Sequence, residues 1–515
     1  MRLPVIGGAL VGLAASSPAL AESCVTQACR QNALAFAYQY GYPLYALGEF
    51  LQPLDGHVRT NRFHHQAELA EPGAIAVVRP NVDTVYSIVL VDLSASDLVL
   101  AVPEFDGRYW SQAFLDLYGN DIANIGNLGK DGPGDYLVRY APNNAGLQRQ
   151  GAEGPFKAFV NVPTPYALSI TRILVKSDGG DLDKVHGFQK RLLVSERPRY
   201  DTSTIPPFNL SLFWDPAHRP GPETSLEVAI LRLTAALSAH NAPYIPQDRA
   251  WVARLLEDAG IAAGRFTQPP GTNLTRATAA ANDSVAALRA MPGFVHDMGN
   301  NWTLSQPVGL YGSYYQARYF IAARGYLALT QDQVLYPVSP TLELGANQSY
   351  IVRFSRRPKT VEGGFWSLTV YGPDQFLVPN RLRRYALGDR SNLTFPDGRS
   401  LSEGPDGPFD ILLQSSETEP PSNWTSKYVS WQRAGLDAPA NFKAVGSPWT
   451  RAAAGFQSTY ASMEPPTNLS TARIHIQSSF LEGPFASEGG GWARAPRQVN
   501  SECQHSSVVS SGQNT

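Results

Sequence analysis

The sequence predicts a mainly β protein with an α-helical insert: an N-terminal β-rich domain, a helical connector and a C-terminal β-sandwich or jelly-roll-like domain. Short apolar runs separated by Gly, Pro and Asp recur over residues 75–116, which is typical of a sandwich or barrel rather than a doubly wound sheet. Helical periodicity follows a Pro-rich stretch at residues 197–222. Strand-like alternation returns at residues 365–371.

The 515 residues divide into five predicted segments. These are a signal peptide at 1–21, an N-terminal domain at 22–195, a Pro-rich linker and helical connector at 196–300, a C-terminal β-sandwich at 301–485 and a disordered tail at 486–515. The first segment has a short apolar core that ends in Ala19-Leu-Ala21, the small-x-small form of a signal-peptidase site, so we expect the mature chain to begin near Glu22. No stretch reaches the roughly 18 apolar residues of a membrane span.

The export signal is accompanied by eight Asn-x-Ser/Thr acceptors, which predict a secreted glycoprotein with these asparagines at its surface. They are Asn209, Asn273, Asn282, Asn301, Asn347, Asn392, Asn423 and Asn468. The 42 basic and 44 acidic residues give a net charge of -2 without runs of one sign, which disfavours nucleic acid or an anionic membrane surface as a partner.

Three cysteines are too few for a disulfide scaffold. Cys24 and Cys29 can form a local bridge, or Cys503 can join one of them in a clasp between the termini; either pairing leaves one thiol over. No second Cys or His pair has zinc-site spacing, so no metal site is predicted.

Several helices are predicted. Residues 32–50 have helical spacing of Leu34, Tyr38 and Tyr45, and we expect an interruption near Gly41 and Pro43 and packing on a sheet. A capping box at Thr224-Ser-Leu-Glu227 precedes a helical apolar pattern, and further helices are expected at 247–259 and 277–291.

The strand at residues 365–371 separates its side chains onto two faces. Trp366, Leu368 and Val370 share one face, which predicts a core. Ser367 and Tyr371 lie on the other face, which we expect to be partly wet.

A polar cluster stands at the start of an apolar strand. Arg79, Asn81, Asp83 and Tyr86 need partners if they are buried, and Arg79 with Asp83 is the obvious charge pair. Their polar groups outnumber what one salt bridge satisfies, so we expect the segment to bound a cleft. Asp83 is then a candidate base, Arg79 an anion holder and Tyr86 a proton donor. The alternative is that the cluster only ties a loop to the strand.

The segment Asn61-Arg-Phe-His64-His65 offers a general base or a metal ligand. Neighbouring residues of an extended chain point to opposite faces, so a single catalytic histidine, His64, is favoured over a chelating pair.

A second group of polar residues follows the strand at 365–371. Tyr371, Asn380, Tyr385 and Asp389 are expected to line the wet side of the sheet with Arg390, and aromatic and amide groups there suit a small ligand or sugar. The alternative is that Asp389 caps a turn and pairs with a neighbouring arginine at the surface.

Two groups of motifs carry a family resemblance. They are Arg79-Pro-Asn-Val-Asp-Thr-Val-Tyr-Ser87, and Phe365-Trp-Ser-Leu-Thr-Val-Tyr371 continued by Phe376-Leu-Val-Pro-Asn380 and Arg384-Tyr-Ala-Leu-Gly-Asp-Arg390. Shorter pieces such as Tyr42-Pro-Leu44 and Val102-Pro-Glu-Phe-Asp-Gly-Arg-Tyr109 stand in the same order. In these residues the chain resembles the tandem family of domain of unknown function 1254 followed by domain of unknown function 1214.

This resemblance implies a β-rich N-terminal domain and a jelly-roll-like C-terminal domain, known in bacteria and fungi, with no settled activity. The chain departs from the family in its longer Pro-rich linker and in His65 after His64. The export signal and the sequons indicate a fungal member, and such proteins can be encoded beside secondary-metabolite genes.

Together these features predict a secreted, enzyme-like glycoprotein that acts on a small metabolite, as in a fungal secondary-metabolite pathway. The sequence specifies no cofactor. The alternative is a non-catalytic extracellular protein that binds carbohydrate or a metabolite. An enzyme should bring two titratable groups within about 3 Å of one pocket position, whereas a binding protein should present an aromatic cleft without such a pair.

Overall fold

The computed structural model of the protein describes residues 24–74, 77–149, 154–176, 180–199, 204–343, 349–380, 383–414, 430–431, 442–444 and 471–479. The predicted signal peptide and the predicted tail at 486–515 lie outside the described residues. The fold is mainly β with a few helices, as the sequence predicts.

The helices are α1 Gln27–Leu51, α2 Asp181–Gln189, α3 Leu226–Leu237, α4 Arg249–Asp258, α5 Leu274–Ala290 and α6 Tyr315–Gly325. The predictions for α3, α4 and α5 are confirmed to within a few residues. The sequence analysis missed α6, which lies in the segment that it assigned to the C-terminal sandwich.

The N-terminal strands are β1 Phe63–His65, β2 Thr84–Asp92, β3 Ser96–Val102, β4 Trp110–Asp116, β5 Asp121–Gly126, β6 Gly134–Tyr140, β7 Gly146–Gln148, β8 Phe156–Val162, β9 Tyr166–Leu174 and β10 Leu193–Pro198. They form two sheets with the orders β1-β2-β9-β4-β5 and β10-β3-β6-β8-β7.

The later strands are β11 Ile261–Ala262, β12 Arg265–Phe266, β13 Val295–Gly299, β14 Trp302–Ser305, β15 Val334–Leu335, β16 Thr341–Glu343, β17 Ser349–Phe354, β18 Trp366–Tyr371, β19 Ala386–Gly388, β20 Phe409–Gln414, β21 Ser430–Trp431, β22 Phe442–Ala444 and β23 Thr471–Ser479. The C-terminal domain contains a sheet of order β15-β23-β16-β22-β18-β19 and a second of order β17-β20-β21.

The first sheet of the N-terminal domain lies between two layers. Every residue of β4 and β9 is buried, because the second sheet covers one face and the helices cover the other. In the second sheet, β3 alternates between buried and half-buried residues, as expected for a sheet with one face toward the core. The resulting three layers make β2 and β9 the central elements of the domain.

Helix α1 runs without interruption through Gly41 and Pro43, so the predicted break is wrong. A proline inside a helix costs about 3 kcal/mol, and burial of most of the helix against α3, α5, α6 and the first sheet offsets this cost. Gly41 is required by packing, since a Cβ there would lie 1.8 Å from the Thr234 Oγ1 atom of α3.

The C-terminal domain is a sandwich whose core lies between β18 and β19 on one side and β17 and β20 on the other. Trp366, Leu368 and Val370 belong to this core, as predicted, and the rings of Phe354 and Phe409 stack at 4.5 Å. The prediction that the opposite face of β18 is partly wet is wrong, because all six of its residues are buried.

The two cysteines within the described residues lie at the start of α1. Cys24 and Cys29 form a disulfide before and within the first turn of α1, so neither is available to Cys503, which lies outside the described residues.

Five of the sequon asparagines lie within the described residues and all five are exposed, namely Asn209, Asn273, Asn282, Asn301 and Asn392. Asn347, Asn423 and Asn468 lie outside them. Among the described helices, none is both long and apolar enough to cross a bilayer.

Candidate functional site

The Arg79–Tyr86 segment enters β2 at the junction of the two β domains. Asn81 fixes this entry, because its Oδ1 atom accepts hydrogen bonds from the Asp83 N–H at 2.7 Å and the Thr84 N–H at 2.9 Å. Asn81, Asp83 and Thr84 are all buried. Hydrogen bonds within the segment therefore hold this part of the polar cluster, in addition to its contacts with the second domain.

Asp83 joins the two domains through its carboxylate. One oxygen forms an ion pair with Arg390, and the other accepts a hydrogen bond from Ser367 Oγ at 2.6 Å. Only 5% of the Asp83 side chain is exposed. Its charge partner is thus Arg390 from the C-terminal domain, and not Arg79 as the sequence analysis expected.

Arg79 has a left-handed backbone, with φ 56°, and its contacts are with Gln375 of the C-terminal domain. Its N–H donates to the Gln375 carbonyl at 2.8 Å, and its guanidinium donates to Gln375 Oε1 at 2.7 and 3.0 Å. Beside it, the Tyr371 hydroxyl donates to the Pro80 carbonyl at 2.9 Å. The segment therefore docks on β18 and the turn that follows it, and this docking covers the face that was expected to be wet.

Arg390 also holds Asp389, at 3.0 Å between Nη1 and Oδ1. The guanidinium lies 4.8 Å from the centre of the Phe365 ring, so a cation–π contact holds it in addition to the two ion pairs. Desolvation raises the pKa of Asp389 to about 6, with a further contribution from the Asp83 charge, while Arg390 opposes both. Yet 36% of its side chain is exposed. The Asp389 carboxyl group therefore reaches water beside the Arg390 guanidinium.

The other predicted ligand residues are placed differently. Asn380 ties its own loop, since its Nδ2 atom donates to the Arg384 carbonyl at 2.9 Å and its Oδ1 atom accepts the Arg384 N–H at 3.0 Å. Tyr385 is half-buried beside Arg383 and Glu71. Of the four predicted residues, only Tyr371 and Asp389 lie near Asp83.

His64 and His65 occupy β1, which pairs with β2 so that they stand opposite Ile88 and Ser87. Burial lowers the pKa of His64, and a backbone hydrogen bond with His57 opposes this shift. His65 Nδ1 lies 2.8 Å from Ser87 Oγ. Within the described residues, no hydrogen bond or ion pair joins His64 to Asp83 or Tyr86.

Tyr86 lies beside a residue that sequence analysis did not select. Arg172 of β9 is its partner in register, and the guanidinium lies 5.4 Å from the centre of the Tyr86 ring. The sequence predicts Arg390 only as a lining residue of the wet side of the sheet or as a surface partner of Asp389, and Ser367 only as a residue of the partly wet face of its strand. Both motif groups carry charges of both signs, so the sequence does not indicate which ion pairs form between them.

Among the described residues, no group of three or more His, Cys, Asp or Glu side chains is arranged to hold a metal ion. The site instead consists of two carboxylates on one guanidinium, one of them sealed and one open. Such a site can transfer a proton through Asp389 and stabilise negative charge through Arg390.

Two solved structures were found to be similar to the chain. A crystal structure of the VPA0106 protein from Vibrio parahaemolyticus is similar at a TM-score of 0.50 and 18% identity, covering 80% of this chain and 94% of that one. A putative uncharacterized protein from Burkholderia cenocepacia is similar at a TM-score of 0.35 and 10% identity, covering 85% and 94%. No curated protein matches the sequence.

Two family models match the chain in the predicted order. The model "Protein of unknown function (DUF1254)" matches residues 60–196, which span the N-terminal sandwich and contain Asp83. The model "Protein of unknown function (DUF1214)" matches residues 341–430, which contain Arg390 and Asp389. The chain therefore contains a segment that matches the DUF1254 model, followed by a segment that matches the DUF1214 model.

Proposed function

We propose that this protein is an exported acid–base enzyme that acts on a small polar metabolite at the junction of its two β domains. Asp389 is the group that transfers the proton, and Arg390 is the group that stabilises the charge that develops on the substrate. The single observation that carries this proposal is the shared guanidinium, with a sealed carboxylate on one side and an open one on the other.

The geometry supports a division of labour between the two aspartates. Asp83 is 5% exposed and takes hydrogen bonds from Ser367 and Arg390, so it holds the guanidinium in place. Asp389 is 36% exposed and can meet a substrate. A guanidinium that is fixed before the substrate arrives needs little reorganisation during the reaction.

The electrostatics support proton transfer near neutral pH. The pKa of Asp389 is raised to about 6 by desolvation, with a contribution from the Asp83 charge. A carboxyl group with this pKa is mostly ionised at pH 7 and still has a substantial affinity for a proton, which is what a general base requires. An ordinary exposed aspartate would be a weaker base.

Export and glycosylation belong to the same proposal. They are supported by the Cys24–Cys29 disulfide and by the exposure of the five described sequon asparagines. Protein recovered from the medium of its host is expected to begin near Glu22 and to lose mass on enzymatic deglycosylation. Unglycosylated protein retained in the cytosol would contradict this part.

The enzymatic part is tested with metabolites extracted from the culture medium of the host. The wild-type protein should deplete at least one compound, detected by mass spectrometry, and Asp389→Asn should not, although the variant folds. The matched control is Asp397→Asn, which changes an exposed aspartate of the same domain that pairs with Arg399.

Two results would contradict the proposal. If Asp389→Asn depletes the same compound at the wild-type rate, then Asp389 does not transfer the proton. If the wild type retains a compound through dialysis without altering it, then the alternative of a non-catalytic binding protein holds.

A further inference from the structure

Arg172 is a buried cation that lacks an anion. It is 5% exposed and lies on β9 in the central sheet of the N-terminal domain. Its Nη2 atom donates to the Leu327 carbonyl at 3.0 Å, whereas its Nη1 atom is buried without a hydrogen-bond partner among the described residues. No described carboxylate forms a salt bridge with it. A buried charge in this state is destabilising, because no ion pair offsets its loss of hydration.

The nearest acidic group is already occupied. The Asp121 carboxylate accepts two hydrogen bonds from Asn124 Nδ2, at 2.8 and 2.9 Å, and one from the Thr330 N–H at 3.0 Å. Asp121 therefore moderates the charge of Arg172 from a distance without binding it.

The surroundings of Arg172 are aromatic and partly open. Tyr86, Tyr109 and Tyr336 lie close enough to interact with its charge. Tyr109 is sealed, with its hydroxyl donating to Ser111 Oγ at 3.1 Å. Tyr86 and Tyr336 are only half-buried, although the residues around them belong to the core. No hydrogen bond of the Tyr86 hydroxyl is found within the described part of the chain, and this hydroxyl is not among the sealed unpartnered atoms, so water reaches it.

A second buried arginine shows what a closed aromatic arrangement looks like. Arg318 is 2% exposed, and its guanidinium lies 4.5 to 4.9 Å from the ring centres of Tyr40, Tyr118 and Tyr315. These three rings are all buried, although Arg318 Nε and the Tyr118 hydroxyl also lack a hydrogen-bond partner among the described residues. Arg172 differs because one ring contacts its guanidinium and that ring is half-open.

We propose that Arg172 and the Tyr86 hydroxyl form an internal binding site for the carboxylate of a small organic acid. Arg172 Nη1 and Tyr86 Oη are the two free donors, and a carboxylate has two oxygens to accept them. A monoanion matches the single positive charge, whereas a phosphate dianion would bury an excess negative charge close to Asp121. The tyrosine rings provide apolar walls for the rest of the molecule.

This site does not depend on the proposed function, and its test does not use activity. Acetate and benzoate serve as probes, with acetamide and benzamide as neutral molecules of the same shape. At least one of the carboxylates should raise the melting temperature of the full-length protein in a saturable manner, and its amide should not. Asp389→Asn should leave this response unchanged, so that a failure of the proposed function is distinguishable.

Two variants assign the response to the site. Arg172→Met should weaken carboxylate binding at least about thirtyfold, since hydrogen bonds to charged groups are the strong ones. Without ligand, its melting temperature should equal or exceed that of the wild type, because it removes an unpaired buried charge. Tyr86→Phe removes only an unpartnered hydroxyl, so it should fold normally and weaken binding about fivefold to tenfold.

The matched control is Arg139→Met. Arg139 lies 4.2 Å from the centre of the Phe159 ring on the second sheet and donates to Asn161, so its loss should leave carboxylate binding intact. If Arg172→Met does not fold, Tyr86→Phe alone decides the question. The proposal is overturned if neither carboxylate stabilises the wild type more than its amide, if sulfate does so and the carboxylates do not, or if Tyr86→Phe binds as tightly as the wild type.

Discussion

Arg108 and Arg390 each bridge two aspartates, and the contrast between their surroundings separates a structural network from a candidate catalytic one. Arg108 lies in the N-terminal domain with no exposed side-chain surface and contacts Asp106 at 2.6 Å and Asp181 at 2.8 Å. It also donates to the Leu174 carbonyl at 2.8 Å, so that all three of its nitrogens are bound. The network therefore ties β9 to α2.

The two networks shift the pKa values of their carboxyl groups in opposite directions. Asp106 also contacts Lys184 at 2.7 Å, and the hydrogen bond from Arg108, opposed by desolvation, holds its pKa far below the usual range. Desolvation would raise the pKa of Asp181, but the hydrogen bonds from Arg108 outweigh it. In the Arg390 network the pKa of Asp389 is raised instead.

The cause of the difference is the count of positive charges. Lysines 176 and 184 supplement Arg108, whereas the described part of the chain places one guanidinium between Asp83 and Asp389. One negative charge near Arg390 is thus left without compensation, and it belongs to the carboxyl group that reaches water. A surplus of cations makes a network structural, and a deficit leaves a group that can exchange protons.

The largest effect is expected from Arg108→Met. It leaves two aspartates without their buried partner, so the free energy of unfolding should fall by about 4 kcal/mol, measured by urea denaturation. The control is Arg353→Met, which removes a cross-strand pair with Asp410 whose arginine side chain is 45% exposed, and it should cost under about 1 kcal/mol. Equal losses in the two variants would remove the distinction between a buried and an exposed pair.

The next effect is expected from Asp83→Asn. Arg390 loses its sealed partner, and the free energy of unfolding should fall by about 3 kcal/mol. The pKa of Asp389 should also fall below about 6, because the like charge of Asp83 contributes to raising it. Asp397→Asn, at an aspartate whose side chain is 53% exposed, should leave the free energy of unfolding close to that of the wild type. An Asp83→Asn variant as stable as the wild type would show that the domain junction does not depend on this pair.

The smallest effect is expected from Asp389→Asn, and it has the opposite sign. The folded pKa of about 6 lies above the ordinary value of 3.8, so the folded state binds the extra proton between these values and its stability falls as the pH rises through them. Removing the charge should stabilise the protein at pH 7 by about 1 kcal/mol, a value reduced because a third of the side chain is open to water. A loss of stability at pH 7 would mean that Asp389 is a structural partner of Arg390.

The sequence predicts the elements of this fold better than their arrangement. The alternation of Trp366, Leu368 and Val370 identifies a core face because the strand period is local. The burial of Ser367 and Tyr371 on the opposite face is not local, since the Arg79–Tyr86 segment covers it from almost 300 positions away. Gly41 and Pro43 predict a break in α1 because their local helix propensity is low. The break does not occur, because packing against α3 outweighs this local preference.

The candidate site follows the same rule. Asp83 and Asp389 are recognisable as polar residues in family motifs. That both pair with Arg390 is determined by the docking of the two domains, which the sequence does not show. Arg172 carries no sequence signal, because an arginine within an apolar strand acquires its meaning only from the tyrosines that the fold brings to it.

The most direct test of the central claim is the titration of the Asp389 carboxyl carbon by NMR on protein with labelled aspartate, with the signal assigned by its absence in Asp389→Asn. We expect a midpoint at about pH 6 for Asp389. The carboxyl group of Asp106 should remain ionised well below that pH. A midpoint of Asp389 near the ordinary value of 3.8 would contradict the account, because the group that is proposed to transfer the proton would then be an ordinary surface carboxylate.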